Sequence, residues 1–259
     1  MTDAAIARPP IGLTLRSLLS ADFIVILRSR QTLILNLAVP ILMLIITNQA
    51  ARRGGSGFGA GGPSLMIALA LSYGLLSSAL LGYSITVARD REAGVFQRLR
   101  VTPTPTWAIM VSRLIVQFAA AIVTAIIVIV VGGIMHGLSY GAGTYVLIFA
   151  VAIYGAAMFL GIGQAVVGLV RSSTAVNALG RVLYVVLLLL GILGISGALG
   201  DTFTNIAKWL PVGALMTLFT AVQSTTAWTS DDGWAIIAIG AYLVVFAGIG
   251  IRWFQWESR

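Results

Sequence analysis

Six long apolar stretches constrain the fold of this chain more than any other feature. A helix needs roughly 20 apolar residues to cross about 30 Å of hydrocarbon, and each stretch reaches that length. The stretches cover approximately residues 31–51, 64–88, 107–135, 143–169, 178–200 and 233–252. Hydrophobic residues make up 59% of the chain and charged residues only 9%, a balance far from that of a soluble domain. The sequence therefore predicts an all-α membrane protein with six transmembrane helices.

The basic residues are divided unequally between the two sides of such a bundle. If the amino terminus is cytoplasmic, thirteen of the 16 basic residues lie inside, and only Arg52, Arg53 and Lys208 lie outside. Lysine and arginine near the ends of spans set orientation, because these residues stay in the cytoplasm. We therefore expect a multi-pass protein of the cell membrane with both termini cytoplasmic. The net charge of +8 then reflects topology and not binding to nucleic acid.

Residues 1–30 are predicted to form a cytoplasmic amino terminus with an amphipathic helix on the inner leaflet. Its apolar side would carry Leu15, Leu18, Leu19, Phe23 and Ile26. Asp22 interrupts that side. The commoner interpretation is a residue in solvent or among lipid headgroups, and the alternative is a buried ion-pair partner of a cytoplasmic arginine.

Several kinds of chemistry are excluded by residues that the sequence lacks. With no cysteine and the single histidine His136, neither a thiolate metal site nor a multi-histidine site can form. A P-loop needs a lysine after its last glycine, and the only lysine is Lys208 in "IAKWLP". No carboxylate lies in the middle of a span, which disfavours proton-coupled antiport. We therefore predict no catalytic residue, no metal site and no ATPase activity in this chain alone.

Three polar side chains lie within or beside the predicted spans: Gln117, Gln164 and Asn177. Such residues more often form hydrogen bonds between helices than contacts with substrate. A place on the translocation path is the alternative for all three.

The segment 201–222 is too apolar for an ordinary external loop. Each half is too short to cross the bilayer, and Pro211 lies at the break between them. Trp209 suits the membrane interface. The segment predicts a re-entrant pair of short helices before the last span.

Charged residues are concentrated in the segment 89–102, between the second and third spans. Gly94 permits a bend there, and prolines from Pro103 onward end the element. On one continuous helix, Arg91 and Arg98 would project from one side, and the other side would carry Glu92, Val95, Phe96 and Leu99. A positive-inside loop needs arginines but no apolar stripe in register. The stripe therefore indicates a cytoplasmic helix that docks to another protein.

The stretch "REAGVFQRLRVTPTP" resembles the Glu-x-Gly, Leu-Arg, Pro pattern of the first cytoplasmic loop in type-2 ATP-binding-cassette exporter permeases. This family includes antibiotic-efflux, polysaccharide and lipid exporters. The resemblance extends over nearly the whole chain, through "VRSSTAVNALGR" as the second cytoplasmic loop, "GISGALG" at the end of the fifth span, and "WLP" before the sixth. It implies a six-span transmembrane domain over 31–259.

The resemblance also implies partners and roles. Segment 89–102 would be the coupling helix, inserted into a separate nucleotide-binding subunit that holds ATP and Mg. Two such ATPases would serve two membrane subunits, identical or homologous, with substrate passing between them along the second and fifth spans. Trp209 and Pro211 would belong to an outer gate, and Arg171 and Arg181 would offer a second cytoplasmic contact.

Other function classes remain open from the residues alone. An ATP-independent transporter or channel is the first alternative, and a membrane scaffold is the second. The weakly polar spans favour an amphipathic or lipid-like substrate over a highly charged one. A copurifying ATPase would distinguish the exporter from both alternatives.

Overall fold

The computed structural model describes residues 11–28, 30–52, 62–95, 98, 106–170, 172–196, 199–224 and 227–253. These residues are helical apart from short turns, and no strand occurs among them. The helices are α1 (Ile11–Arg28), α2 (Arg30–Arg52), α3 (Gly62–Leu75), a π-helical segment (Leu76–Gly82), α4 (Tyr83–Glu92), α5 (Thr106–His136), α6 (Ala142–Leu169), α7 (Ser173–Ser196), α8 (Gly200–Ala207), α9 (Pro211–Gln223) and α10 (Ser230–Arg252). The predicted all-α fold is confirmed.

Five helices are long and apolar enough to span a membrane: Gly62–Glu92, Trp107–His136, Ala142–Leu169, Ser173–Gly194 and Ser230–Arg252. They correspond to the second to sixth predicted spans. The first predicted span lies within α2, whose described apolar part is the shorter stretch Leu37–Gln49.

The second span, Gly62–Glu92, lies at the centre of the bundle. It consists of α3, the π-helical segment and α4 in succession, and 89% of its apolar window is buried inside the chain. The corresponding window of α7 is only 28% buried. The exposed apolar face of α7 carries Leu179, Val182, Val185, Val186 and Leu189. Of the two spans expected to face a second membrane subunit, only α7 therefore presents a broad surface, because neighbouring helices cover the second span.

Small residues allow α6 and α10 to approach closely. A Cβ atom at Gly168 would lie 3.0 Å from the carbonyl oxygen of Gly250, and one at Gly161 would lie 3.4 Å from the amide nitrogen of Ala247. Close backbone approach at glycine is a common basis of helix packing in membranes, where lipid supplies no hydrophobic drive between helices.

The segment before the last span is a bent pair of helices, α8 and α9, at 82° to each other. Leu210 is extended, and Pro211 starts α9 at a position where its missing N–H costs no helical hydrogen bond. The turn is tight, since a Cβ atom at Gly213 would clash with the carbonyl oxygen of Ala207. Helix α9 packs against α3, α6, α7 and α10, which supplies the protein cover that a broken helix needs in a bilayer. The predicted helix pair is confirmed.

Helix α1 packs along α5 and exposes part of its apolar surface. Ile11, Leu13 and Phe23 are about half exposed, whereas Asp22 is buried. The placement of α1 on the inner leaflet stays a prediction.

Candidate coupling site at the end of the second span

Arg91 joins the end of the second span to the end of the fourth. Its guanidinium donates hydrogen bonds of 2.8 Å to the carbonyl of Val170 and 3.0 Å to the carbonyl of Val167. These carbonyls lie at the C-terminus of α6, and the last four carbonyls of a helix have no partner within the helix. A cation is also favoured there by the helix dipole. Arg91 therefore caps α6 from α4.

Arg91 belongs to α4, at the end of the second span, and not to a separate cytoplasmic helix as predicted. Only 4% of the residue is exposed. The reason is that α4 continues the second span without interruption, so Arg91 follows Tyr83 and Val87 on the buried face of that helix. The Arg91 guanidinium is therefore engaged within the chain, between α4 and the end of α6.

Arg113 is the centre of an ionic cluster that joins α1, α4 and α5. Its guanidinium lies 3.0 Å from a carboxylate oxygen of Asp22 in α1 and 2.9 Å from one of Asp90 in α4. The hydroxyl of Ser112 donates a further hydrogen bond of 2.6 Å to Asp22. The side chains of Arg113 and Asp22 are each 11% exposed. Of the two interpretations of Asp22, the buried ion pair is the one confirmed.

Gly94 ends the second span. Its φ of 67° lies in the left-handed region, which residues with a Cβ rarely adopt. The N–H of Ala93 still donates to Arg89, the N–H of Gly94 to Arg91, and the N–H of Arg98 to the carbonyl of Gly94. A new helical turn therefore begins after the glycine.

This break corrects the prediction of one continuous helix from residue 89 to 102. Residues 89–92 belong to α4, so Glu92 does not share a helical stripe with Val95. Glu92 and Arg98 are exposed, and Val95 is partly buried. Phe96 and Leu99, the other two members of the stripe, lie outside the described residues.

The connection between α6 and α7 lies beside this site. Val170 accepts its hydrogen bond from Arg91, and a Cβ atom at Gly180 of α7 would lie 3.7 Å from Ser84 of α4. Arg181 is on an exposed part of α7, Asn177 is partly buried, and Arg171 lies outside the described residues. The structure thus brings the two predicted cytoplasmic regions together through Val170 and not through Arg181.

Gln117 and Gln164 both form hydrogen bonds between helices. The amide of Gln117 donates a bond of 2.6 Å to the carbonyl of Ser78, inside the π-helical segment of the second span. The side-chain carbonyl of Gln164 accepts a hydrogen bond from the hydroxyl of Tyr83. Since both glutamines are almost fully buried, packing between helices accounts for their polar groups.

At the opposite end of the bundle, Trp209 of the predicted gate contacts the last span. The ring of Trp209 lies 6.0 Å from that of Trp234, and its carbonyl accepts a hydrogen bond of 3.1 Å from Tyr242. Pro211 is buried as the first residue of α9. An exposed ion pair of 3.1 Å joins Lys208 to Asp231 nearby.

Sequence reasoning missed the role of Arg113 and Asp90. Arg113 lies inside the predicted third span, and an arginine within a span is rare enough to signal a partner. An arginine inside a span predicts a buried acidic partner, and Asp22 had already been considered as a buried ion-pair partner of an arginine.

A family profile of the ABC-2 type transporter matches residues 14–224. The chain belongs to this family. It is the membrane permease component of a type-2 ABC transporter, and membrane domains of this family work with ATPase subunits. The match begins in α1 and ends just after α9, so it includes every residue of the ionic cluster. No curated protein matches the chain by sequence.

Proposed function

We infer that this permease exports an amphipathic or lipid-like substrate, such as a drug, a lipid or a glycolipid, from the cytoplasm or the inner leaflet. Energy comes from ATP with Mg, bound by two copies of a separate ATPase subunit. A second membrane subunit, identical or homologous, completes the path. Both termini lie in the cytoplasm, which places Gly94 and the residues after it on the side of the ATPase.

The observation that carries this proposal is the set of bonds just before Gly94. Arg91 donates hydrogen bonds to the end of α6. Asp90 forms an ion pair with Arg113 of α5, which also pairs with Asp22 of α1. Hydrogen bonds between charged groups are among the strongest side-chain contacts. A displacement of the segment after Gly94 would therefore be transmitted through α4 to α1, α5 and α6. Such a connection is what an ATP-driven permease requires and what a passive channel does not.

The exposed apolar face of α7 supports a second membrane subunit. Its five exposed apolar side chains lie along one span, and only 28% of the apolar window of that span is buried within the chain. Two such faces would enclose a weakly polar path, which suits an amphipathic molecule. In this arrangement Trp209 and Pro211 border the external exit.

The test is purification of the tagged chain in mild detergent, with identification of bound subunits and measurement of ATP hydrolysis. The pure chain alone should not hydrolyse ATP, and activity should accompany a bound ATP-binding-cassette subunit. Absence of any such subunit, or substrate efflux that continues without ATP, would contradict the proposal.

Substitutions in segment 89–102 test where the ATPase subunit contacts the permease. Phe96→Ala and Leu99→Ala should weaken copurification more than Arg98→Ala, because a buried apolar anchor contributes about 2 kcal/mol or more and an exposed rim charge usually under about 1. Glu92→Ala should uncouple hydrolysis from efflux more than it dissociates the subunits. If the two apolar variants behave as wild type while Arg181→Ala dissociates the complex, the contact lies at the second cytoplasmic region.

A further inference from the structure

An apolar groove lies between α5, α6 and α10, and none of the residues that line it belongs to α7. Its volume is about 700 Å³, within the range of roughly 300–1,000 Å³ typical of ligand pockets. The groove is lined by Met110, Leu114 and Phe118 of α5, by Leu243 and Ala247 of α10, and by Gln164 of α6. The amide carbonyl of Gln164 already accepts a hydrogen bond from the hydroxyl of Tyr83. The groove therefore offers an almost entirely hydrocarbon surface.

The length of the groove matches one leaflet of a bilayer. From Trp107 to Phe118, both of which line it, α5 rises about 16 Å at 1.5 Å per residue. This is roughly half of the 30 Å hydrocarbon core. A guest that fills the groove is therefore an extended chain reaching from the membrane interface to the bilayer midplane.

The mouth of the groove carries the groups that a lipid headgroup would meet. Trp107 and Ile251 line this end, and Arg252 and Trp253 follow directly in the chain. Both tryptophans are about half exposed, and the guanidinium of Arg252 lies 5.3 Å from the centre of the Trp253 ring. Tryptophan and arginine at the end of a span are typical of the interface, and the arginine favours an anionic headgroup.

We propose that this groove is a binding site for an anionic phospholipid, with one acyl chain between α5 and α10 and the headgroup at Arg252. The lipid is a resident of the permease and not its transported substrate, since none of the residues that line the groove belongs to α7. Its assignment to the cytoplasmic leaflet rests on the proposed orientation, but the site itself does not. Through Gln164 the bound chain would contact the helix that Arg91 caps.

The test uses the full chain in nanodiscs that contain equal amounts of phosphatidylglycerol and phosphatidylcholine, each with a photoreactive diazirine near the end of one acyl chain. Crosslinked residues are mapped by mass spectrometry, with neither ATPase nor substrate present, so the result is independent of the proposed transport function. Label from phosphatidylglycerol should concentrate on Leu114 and Phe118, at the deep end of the groove, and exceed that on Val244 and Val245 of α10, which are exposed outside the groove. Equal labelling of the two surfaces would mean ordinary annular lipid and would overturn the proposal.

A matched pair of variants fills the groove or leaves it open. Ala247 and Val245 lie about 200° apart around the same helix, at nearly the same depth. Ala247→Trp should reduce groove labelling at least fivefold, whereas Val245→Trp should leave it unchanged. If Ala247→Trp does not yield a monodisperse protein, Val111→Trp fills the groove from the opposite wall. Undiminished labelling in a folded filling variant would refute the site.

Arg252→Gln tests the headgroup. The ratio of phosphatidylglycerol to phosphatidylcholine label in the groove should fall by roughly fivefold, the effect of one cation beside an anionic headgroup. An unchanged ratio would refute the part of the proposal that concerns charge.

Discussion

Replacing Arg113 with methionine would remove the cation that two acidic residues share. Asp22 and Asp90 each lie about 3 Å from its guanidinium, and all three side chains are less than one-fifth exposed. Methionine keeps most of the apolar stem but leaves two buried carboxylates without their counter-ion. Breaking a buried ion pair in this way typically costs 3–5 kcal/mol, so we expect the free energy of unfolding to fall by roughly that amount.

Two further variants separate charge from packing. Adding Asp22→Asn and Asp90→Asn to Arg113→Met removes the stranded charges and should restore most of the lost stability. Lys208→Met is the control for loss of a basic residue. Its pair with Asp231 is about half exposed, and such pairs contribute under about 1 kcal/mol.

The free energy of unfolding can be measured by steric trapping in bicelles, with the midpoint temperature in detergent as a second readout. Wild type, Arg113→Met, the triple variant and Lys208→Met are compared at one pH. If the triple variant is as unstable as Arg113→Met, the loss arises from packing around the guanidinium stem, and the electrostatic account of the cluster is refuted.

Three other predictions address the cap, the bend and the orientation. Arg91→Lys should lower the midpoint temperature and Arg91→Met should lower it further, because an ammonium group cannot reproduce the two-pronged contact and each lost charge-assisted hydrogen bond costs roughly 1.5–3 kcal/mol; equal midpoints for wild type and Arg91→Met would contradict the cap. Gly213→Ala should destabilise the protein by roughly 1–3 kcal/mol through the clash with Ala207, whereas Gly248→Ala, where no atom lies within 4 Å of the added methyl, should have little effect. A cysteine in place of Arg98, in this cysteine-free chain, should react with a membrane-impermeant maleimide only after cells are opened, and labelling of intact cells would reverse the topology.

The helices themselves follow from properties that are local in sequence. The length of each apolar stretch predicts a span, and a proline after a short apolar stretch predicts the break at Pro211. Gly94 predicts the end of the second span for an equally local reason, because glycine adopts the positive φ that a helix end often needs, and Gly94 does have a positive φ. These signals require no knowledge of which helices are neighbours.

The side-chain partners within the candidate coupling site are distant in sequence and could not be predicted in the same way. Whether Arg91 points outward or inward depends on how far α4 continues, and its acceptors belong to another span. Likewise, the sequence offers Asp22 several arginines, and only the packing of α1 against α5 selects Arg113. The central position of the second span is a property of the whole bundle, because its composition alone does not distinguish it from the lipid-facing spans.

The central position of the second span also changes the effect of its length. The apolar stretch of this span, residues 64–88, would extend about 37 Å as a regular α-helix, beyond a hydrocarbon core of roughly 30 Å. A helix of that length in contact with lipid has to tilt, or thicken the bilayer around it, to relieve the hydrophobic mismatch. Here surrounding helices cover 89% of its apolar window, so lipid has little contact with it. Membrane thickness therefore acts mainly on the outer helices, such as α7 and α10, while the depth and tilt of the second span are set by the protein around it.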